Sequence, residues 1–395
     1  MQKLFVDKIA ELGEVFSPSA PIATNDLFFG RIEQVTKILE AITERGQHAV
    51  LYGERGVGKT SLANIIKERF KSHEVITEKI NCSRTDEFST MWRKILDKVL
   101  IDIQTQGMGF KPGGKKETIA LSDFLPQKEK LTPSDVSALI GKLNIKLLLI
   151  FDEFDTVRDQ RIKSEFADLI KDLSDNYPNV TILIVGIADN VNNLIGEHRS
   201  VERCLRQIPM PRMSDDELKE IIDKGLSKIG MTINPEVREN IVDLSQGFPH
   251  YTHLLTKYSA KQALLKESLN IDKPYFYNAI REAIENADAT IRNAYQKAVI
   301  TSKEKSKFEN VVSACAIAKE DEYGAFRTKD VIDAYFKVTG DKLISQAFTY
   351  NLGKLCQEEK GALLEKVGKG KQIKYRFQNP LVKVFIKLKL YQKQN

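Results

Sequence analysis

Cysteine is scarce in this sequence: Cys82, Cys204, Cys315 and Cys356 are its four. None forms a CxxC pair or a short-spaced cluster with histidine, which argues against a zinc site or a disulfide framework and for a reducing, cytoplasmic setting. Long apolar runs are missing as well. The longest evident one, IKLLLIF at 145–151, is strand-sized, whereas a membrane helix needs about 18–20 residues, so no membrane association is expected. The N-terminus, MQKLFVDKIAELGEVF, carries acids and lacks a long apolar core and a small-residue cleavage site, and so does not read as a secretory signal.

What is present describes a soluble globular chain, 42% hydrophobic and 29% charged over 395 residues, with length for two or three domains. The net charge of +6 is unevenly placed: residues 301–395 hold 19 Lys plus Arg against 11 Asp plus Glu, concentrated in the last 35 residues. Such asymmetry suits a basic tail or a nucleic-acid face, and equally a solvated lysine-rich surface.

Along the chain, QVTKILEAITER (34–45) has helical spacing, and HAVLY (48–52) reads as a buried strand running into the glycine loop GERGVGKTS. SLANIIKERF is helical, VITEKINC (75–82) a strand and FSTMWRKILDKVLIDI (88–103) an amphipathic helix. Residues 104–130, with GMGFKPGGKK, read as an exposed irregular insertion. Thr132, Pro133 and Asp135 start a helix, KLLLIFDEFD (146–155) is a buried strand ending in acids, a helix follows near 161–175, and VTILIVGIADN (180–190) and RQIPMPRM (206–213) are further strands. Strands alternating with helices, several apolar throughout, imply a parallel sheet covered on both faces. Ser214 and Glu217 make a capping box, and helical patterns run to about 300. The last segment offers helices near 306–318, 328–338 and 344–357, then the extended stretches GALLEKVG and KQIKYRFQ joined by KGK, the outline of a winged helix.

The loop fits GxxxxGK[ST] with Gly53, Gly58, Lys59 and Thr60. Glycines let backbone N–H groups converge on phosphate oxygens, helped by the positive end of the following helix; Gly56 and Ser61 complete the cradle. Lys59 would reach the terminal phosphates and Thr60 would coordinate magnesium. Asp152 would hold the magnesium shell, and Glu153 would orient or deprotonate the attacking water. Together these predict ATP/ADP and Mg2+ as cofactors and ATP hydrolysis as the reaction.

FFGR (28–31), GERGVGKTS, LLIFDEFD, IVGIADN and ERCLRQIPMPRMSDDEL, in that order, resemble the motifs of an AAA+ ATPase, most of all its origin-recognition initiator branch and the related STAND switch ATPases. The resemblance covers roughly residues 20–290. It implies an α/β P-loop core (1–213), a helical lid (214–300) and a C-terminal winged-helix domain (301–395), with nucleotide between core and lid. Carried over, Phe29 and Gly30 border the adenine. Asp189 falls at the polar sensor, although Asn190 beside it fits the usual asparagine better. Arg203 falls at an arginine finger that completes a neighbour's site in a homo-oligomer, with Arg199 and Arg206 as competitors. In SQGFPHYTHLL, Pro249 and His250 depart from the pattern: histidine stands where a sensor arginine is usual, and the GxP arrangement is similar to STAND ATPases, although His250 also suits an ordinary capping or packed role.

A winged helix reads double-stranded DNA with a recognition helix in the major groove. ISQAFTYNLGKLC offers Ser345, Gln346, Thr349, Tyr350, Asn351 and Lys354 for that purpose, and the wing offers Lys366, Lys369, Lys371, Lys374 and Arg376 to phosphates. Two functions remain open: an ATPase that couples nucleotide state to assembly and duplex binding, and a slow, STAND-like nucleotide-gated switch whose winged helix docks a partner protein encoded elsewhere.

Overall fold

The computed structural model describes residues 2–18, 30–70, 75–105, 115–143, 145–188, 191–195, 201–300, 305–321, 324–341, 345–368 and 373–394. Within these, side chains are described outside 2–6, 103–105, 115–117, 192–193, 305–307, 345–347 and 394. The chain divides into two compact units, one of residues Pro21–Pro211 and one of Met1–Ala20 with Arg212–Asn395.

The chain opens with α1 (Gln2–Val15), which belongs to the second unit. The first unit runs α2 (Ile32–Thr43), β1 (His48–Gly53), α3 (Lys59–Phe70), β2 (Val75–Asn81), α4 (Phe88–Asp97), β3 (Leu100–Thr105) and β4 (Lys115–Ala120). It continues with α5 (Pro133–Ile140), β5 (Lys146–Asp152), α6 (Gln160–Asn176), β6 (Val180–Ile187), α7 (Asn192–Ile195) and β7 (Leu205–Pro209). Five strands form a parallel sheet in the order β2-β5-β6-β1-β7. Leu147 to Phe151 of β5 and Ile182 to Val185 of β6 are all buried, as strands covered on both faces must be. One face carries an aromatic cluster in which Phe166 of α6 meets Phe154, Phe151, Phe88 and Trp92. The sheet is the expected P-loop α/β core.

The helix expected over 88–103 stops at Asp97, and Leu100–Thr105 pairs antiparallel with Lys115–Ala120, Leu100 opposite Ala120. Ile101 and Ile103 alternate with Asp102 and Gln104, a period of two that suits a strand and overrides the helical pattern upstream. The insertion expected to be irregular therefore begins as a β-ribbon; its tip, 106–114, lies outside the described residues.

In the second unit the lid comprises α8 (Asp215–Lys228), β8 (Thr232–Ile233), α9 (Pro235–Ser245), α10 (Pro249–Leu264), β9 (Asn270–Ile271), α11 (Lys273–Glu285) and α12 (Ala289–Val299). The Ser214–Glu217 capping box is formed, each side chain meeting the other residue's backbone N–H. Residues 1–20, expected with the core, group with this lid. The cause is packing: Leu12 and Phe16 are buried, and the Phe16 ring meets His253 of α10 edge-on at 5.7 Å. It also fills the space over Gly225 of α8, where a Cβ would stand 2.4 Å from its ring.

The C-terminal part follows as α13 (Lys305–Ile317), β10 (Ala325–Phe326), α14 (Thr328–Thr339), α15 (Ser345–Leu355), β11 (Leu364–Val367), β12 (Lys374–Phe377) and α16 (Pro380–Gln394). β10, β12 and β11 form a small antiparallel sheet in that order, which with α13, α14 and α15 makes the expected winged helix. Its core extends beyond the expected boundary at 300, because Ile291, Tyr295, Ala298 and Val299 of α12 share one apolar cluster with Phe308, Phe348 and Phe385. The helix α16 carries lysines yet buries Val382, Val384, Phe385, Ile386 and Leu388. Tyr251 of the lid donates its hydroxyl to Leu381 O at 3.1 Å, and Lys383 is buried against Glu320 at 2.8 Å. Among the described residues, no helix is long and apolar enough to cross a membrane.

Candidate nucleotide site

The phosphate loop joins β1 to α3, and its three glycines all take positive φ: Gly53 at 154°, Gly56 at 88° and Gly58 at 97°. Glycine conformations of this kind let successive N–H groups turn toward one anion ahead of a helix N-terminus. Gly53 is also required sterically, since its φ disfavours a side chain and a Cβ would meet Met210 O at 2.3 Å. Lys59, buried at the start of α3, donates to Gly53 O at 2.9 Å and Glu54 O at 2.6 Å. Burial pulls its pKa down to about 8, opposed by the carboxylates of Asp155, Asp152 and Glu54.

Asp152 ends β5 beside this loop and is 2% exposed. Its Oδ1 accepts from Glu153 N at 2.9 Å and from Thr60 Oγ1 at 3.4 Å, so the two expected magnesium partners converge. Glu153 is exposed and left-handed, with φ 58° and ψ 32°. A non-glycine residue held there stores about 1–3 kcal/mol of strain, a cost commonly met at functional sites. The donor set fits a magnesium-bound triphosphate: a hydroxyl and a carboxylate for a hard cation, a cradle of N–H groups for phosphate, and an exposed carboxylate beside them.

Three further residues shape this site that the motifs did not single out. Arg31, 2% exposed and left-handed, donates to Val57 O of the loop at 3.1 Å and to Pro211 O at 2.7 Å. Asp155 accepts from Ile187 N at 2.8 Å and so ties the acidic turn to the end of β6; its position in IFDEFD was the available signal. Lys79 of β2 forms an ion pair with Asp152 Oδ2 at 2.7 Å. A lysine between strand residues signals little by itself, because long stems ordinarily carry their charge out to water.

Of the other expected residues, Gly30 has φ 73°; Ser61 lies in the first turn of α3. Phe29, Asp189, Asn190 and Arg199 lie outside the described residues. Arg203 is 70% exposed and paired with Asp175 at 2.5 Å, whereas Arg206 is engaged by Glu40 of α2 and by Glu44, the residue that caps it. Pro249 opens α10 in the other unit, and His250 donates from Nδ1 to Pro18 O at 2.8 Å. On the winged helix, Tyr350 is 64% exposed with Lys354 Nζ 5.9 Å from its ring centre. Lys374 is paired with Asp321 at 2.8 Å and Arg376 with Glu365 at 2.7 Å. The side chain of Gln346, and Lys369 and Lys371, lie outside the described set.

Strand order, glycine loop and paired acids define a P-loop nucleoside triphosphatase fold. The profile of the family described as Novel STAND NTPase 1 matches residues 21–298, and the chain belongs to that family. Among solved structures, a Walker-type ATPase of Pyrococcus abyssi superposes with a TM-score of 0.55 at 17% identity, over 94% of this chain and 99% of its own. The ORC2 protein of Aeropyrum pernix, solved in ADPNP–ADP complexes, does so with a TM-score of 0.50 at 14% identity, over 97% and 98%. Both are similarities of fold. Among curated proteins, none matches the sequence.

Proposed function

We propose that this protein is a cytoplasmic, magnesium-dependent ATPase that works as a nucleotide-gated switch, hydrolysing ATP to ADP and phosphate. The observation that carries this reading is the convergence of Thr60 and Asp152, 3.4 Å apart, at the mouth of a loop whose glycines all take positive φ. Gly53, Gly56 and Gly58 present N–H groups to the β- and γ-phosphates, and Lys59 supplies the charge that follows the leaving phosphate. Magnesium, held by Thr60 and through water by Asp152, would neutralise charge shared by the two phosphates. Glu153, beside Asp152 and open to solvent, orients the attacking water and takes its proton.

The output runs through the winged helix. Docking of a partner protein is supported by family membership and by the internal pairing of Lys374 and Arg376, which leaves less wing charge for phosphates. Duplex DNA binding, with Arg203 joining copies into a homo-oligomer, is a second reading, supported by exposed Tyr350 with Lys354 at its ring and by exposed Arg203. The deciding experiment combines ATP and ADP binding, turnover and particle mass for wild type, Lys59→Ala and Glu153→Gln. Lys59→Ala should lose binding, and Glu153→Gln should bind ATP and fail to turn over. Normal turnover in Glu153→Gln refutes the water-activating role, and binding unaffected by Lys59→Ala refutes the site.

A further inference from the structure

Lys79 sits on β2, an edge strand of the sheet, where Lys79 is paired in register with Ile150 and Asn81 with Asp152. Its ammonium lies 2.7 Å from Asp152 Oδ2 and 2.8 Å from Asn64 Oδ1 of α3, the helix that the phosphate loop opens. Lys98 donates to its backbone carbonyl at 2.8 Å. The pair is largely withdrawn from water, with Lys79 12% and Asp152 2% exposed. The two oxygens of Asp152 thus divide their work: Oδ1 faces Thr60 and the Glu153 amide, and Oδ2 holds a fixed cation.

A withdrawn carboxylate beside bound phosphates repels them unless something offsets its charge, and at low effective dielectric that repulsion is substantial. In a magnesium-loaded site the metal supplies the offset. We propose that Lys79 is a built-in counter-cation to Asp152, a positioning residue that lets the site keep ADP or ATP when magnesium is withdrawn. This rests on the nucleotide reading above and adds to it a nucleotide retention only weakly dependent on metal. Asn64 and the register of β2 with β5 hold the ammonium on Oδ2, leaving the Thr60 side of the carboxylate to the metal shell.

The test is ADP affinity, measured by fluorescence with a labelled ADP in excess magnesium and again in excess EDTA. Lys79→Met should weaken binding in EDTA about tenfold, equivalent to about 1.4 kcal/mol, while leaving affinity in magnesium within about threefold of wild type. Lys79→Arg should restore the EDTA value. Adding Asp152→Asn to Lys79→Met removes the charge that Lys79 offsets and should return EDTA affinity to near wild type. Equal losses in both media, or no recovery in the double variant, overturn the inference. If Lys79→Met does not fold, Lys79→Gln serves: it keeps a donor toward Asn64 and Asp152 without the charge, should lose the same EDTA affinity, and an EDTA affinity equal to wild type overturns the inference. Failure of wild type to bind ADP in either medium refutes the nucleotide reading itself, whereas binding with an unmoved ratio refutes only the role of Lys79.

Discussion

Gly53, the first glycine of the phosphate loop, lies against the backbone of Met210, which donates its own N–H to Tyr52 O at 2.7 Å. A methyl group at Gly53 would stand 2.3 Å from Met210 O, so β1 and β7 cannot keep their register around it. Gly53→Ala is expected to cost about 1–3 kcal/mol of stability from overpacking alone, read from the urea midpoint, and to weaken ADP binding in parallel. An unchanged midpoint would show that the loop moves away from Met210 freely.

His253 gives the second unit an acid-sensitive point. Burial, with a smaller contribution from His250, lowers its pKa to about 4, and among the described residues neither ring nitrogen has a hydrogen-bond partner. The folded form therefore holds fewer protons than the unfolded chain between about pH 4 and the ordinary histidine value, and stability falls as pH drops through that window. His253→Leu should flatten the acid limb of the stability curve by on the order of 3 kcal/mol. Acid unfolding followed by far-UV circular dichroism measures the difference. An unaltered limb would mean that His253 protonates in place.

Arg203 is free to serve a neighbour at little cost. Its pair with Asp175 is a surface pair, with the arginine 70% exposed, and such pairs contribute about 0–1 kcal/mol. Arg203→Ala should therefore leave thermal stability within a few degrees while lowering turnover about 10³-fold or more if it completes a site in trans. Mixing it with Lys59→Ala protein should recover activity, because one copy keeps the loop and the other keeps the finger. Full turnover by dilute, demonstrably monomeric protein would dispose of a trans role.

Glu320 joins the winged helix to the lid. It accepts from Lys383 at 2.8 Å and from Arg212 at 3.1 Å, and Arg212 also lies 4.9 Å from the Phe248 ring centre. Glu320→Ala removes the carboxylate that faces the buried Lys383 and is expected to cost about 3–5 kcal/mol. Hydrogen exchange should rise first in α16. Protection unchanged across α16 would place the link elsewhere.

The two outputs separate on salt. If the winged helix grips duplex DNA, the logarithm of affinity falls linearly with the logarithm of salt, by about 0.9 per phosphate contact, and Lys366→Glu with Lys354→Glu shallows that slope. A slope unmoved by both charge reversals would leave partner docking as the output.

How much of this was legible depended on whether a signal was local. The phosphate loop, the acids closing β5, the helix start at Thr132 and the Ser214–Glu217 capping box rest on neighbours in sequence, and they stand where the sequence puts them. α16 did not announce itself: VKVFIKLKL alternates apolar and basic residues like a strand, and it becomes a helix because α9, α11, α12 and α13 pack against it. β3 was absorbed into the preceding helix because Leu96, Val99 and Leu100 continue a helical spacing up to the point where LIDIQT alternates. The Lys79–Asp152 pair needed the strand order β2-β5, which no spacing in the sequence supplies.

Phe16 seated over Gly225 has a further consequence for how the molecule is built. The chain enters the lid unit, leaves it at residue 20 and returns at 212, so the P-loop core is an insertion held by two covalent joins. A protein cut at both joins would yield the core as one piece, and the first helix would stay with the lid through contacts alone, as a peptide in a binding site. Supplied separately, residues 1–20 should then act as a ligand of 212–395, and the occupancy of the Phe16 contact becomes something a competitor can titrate.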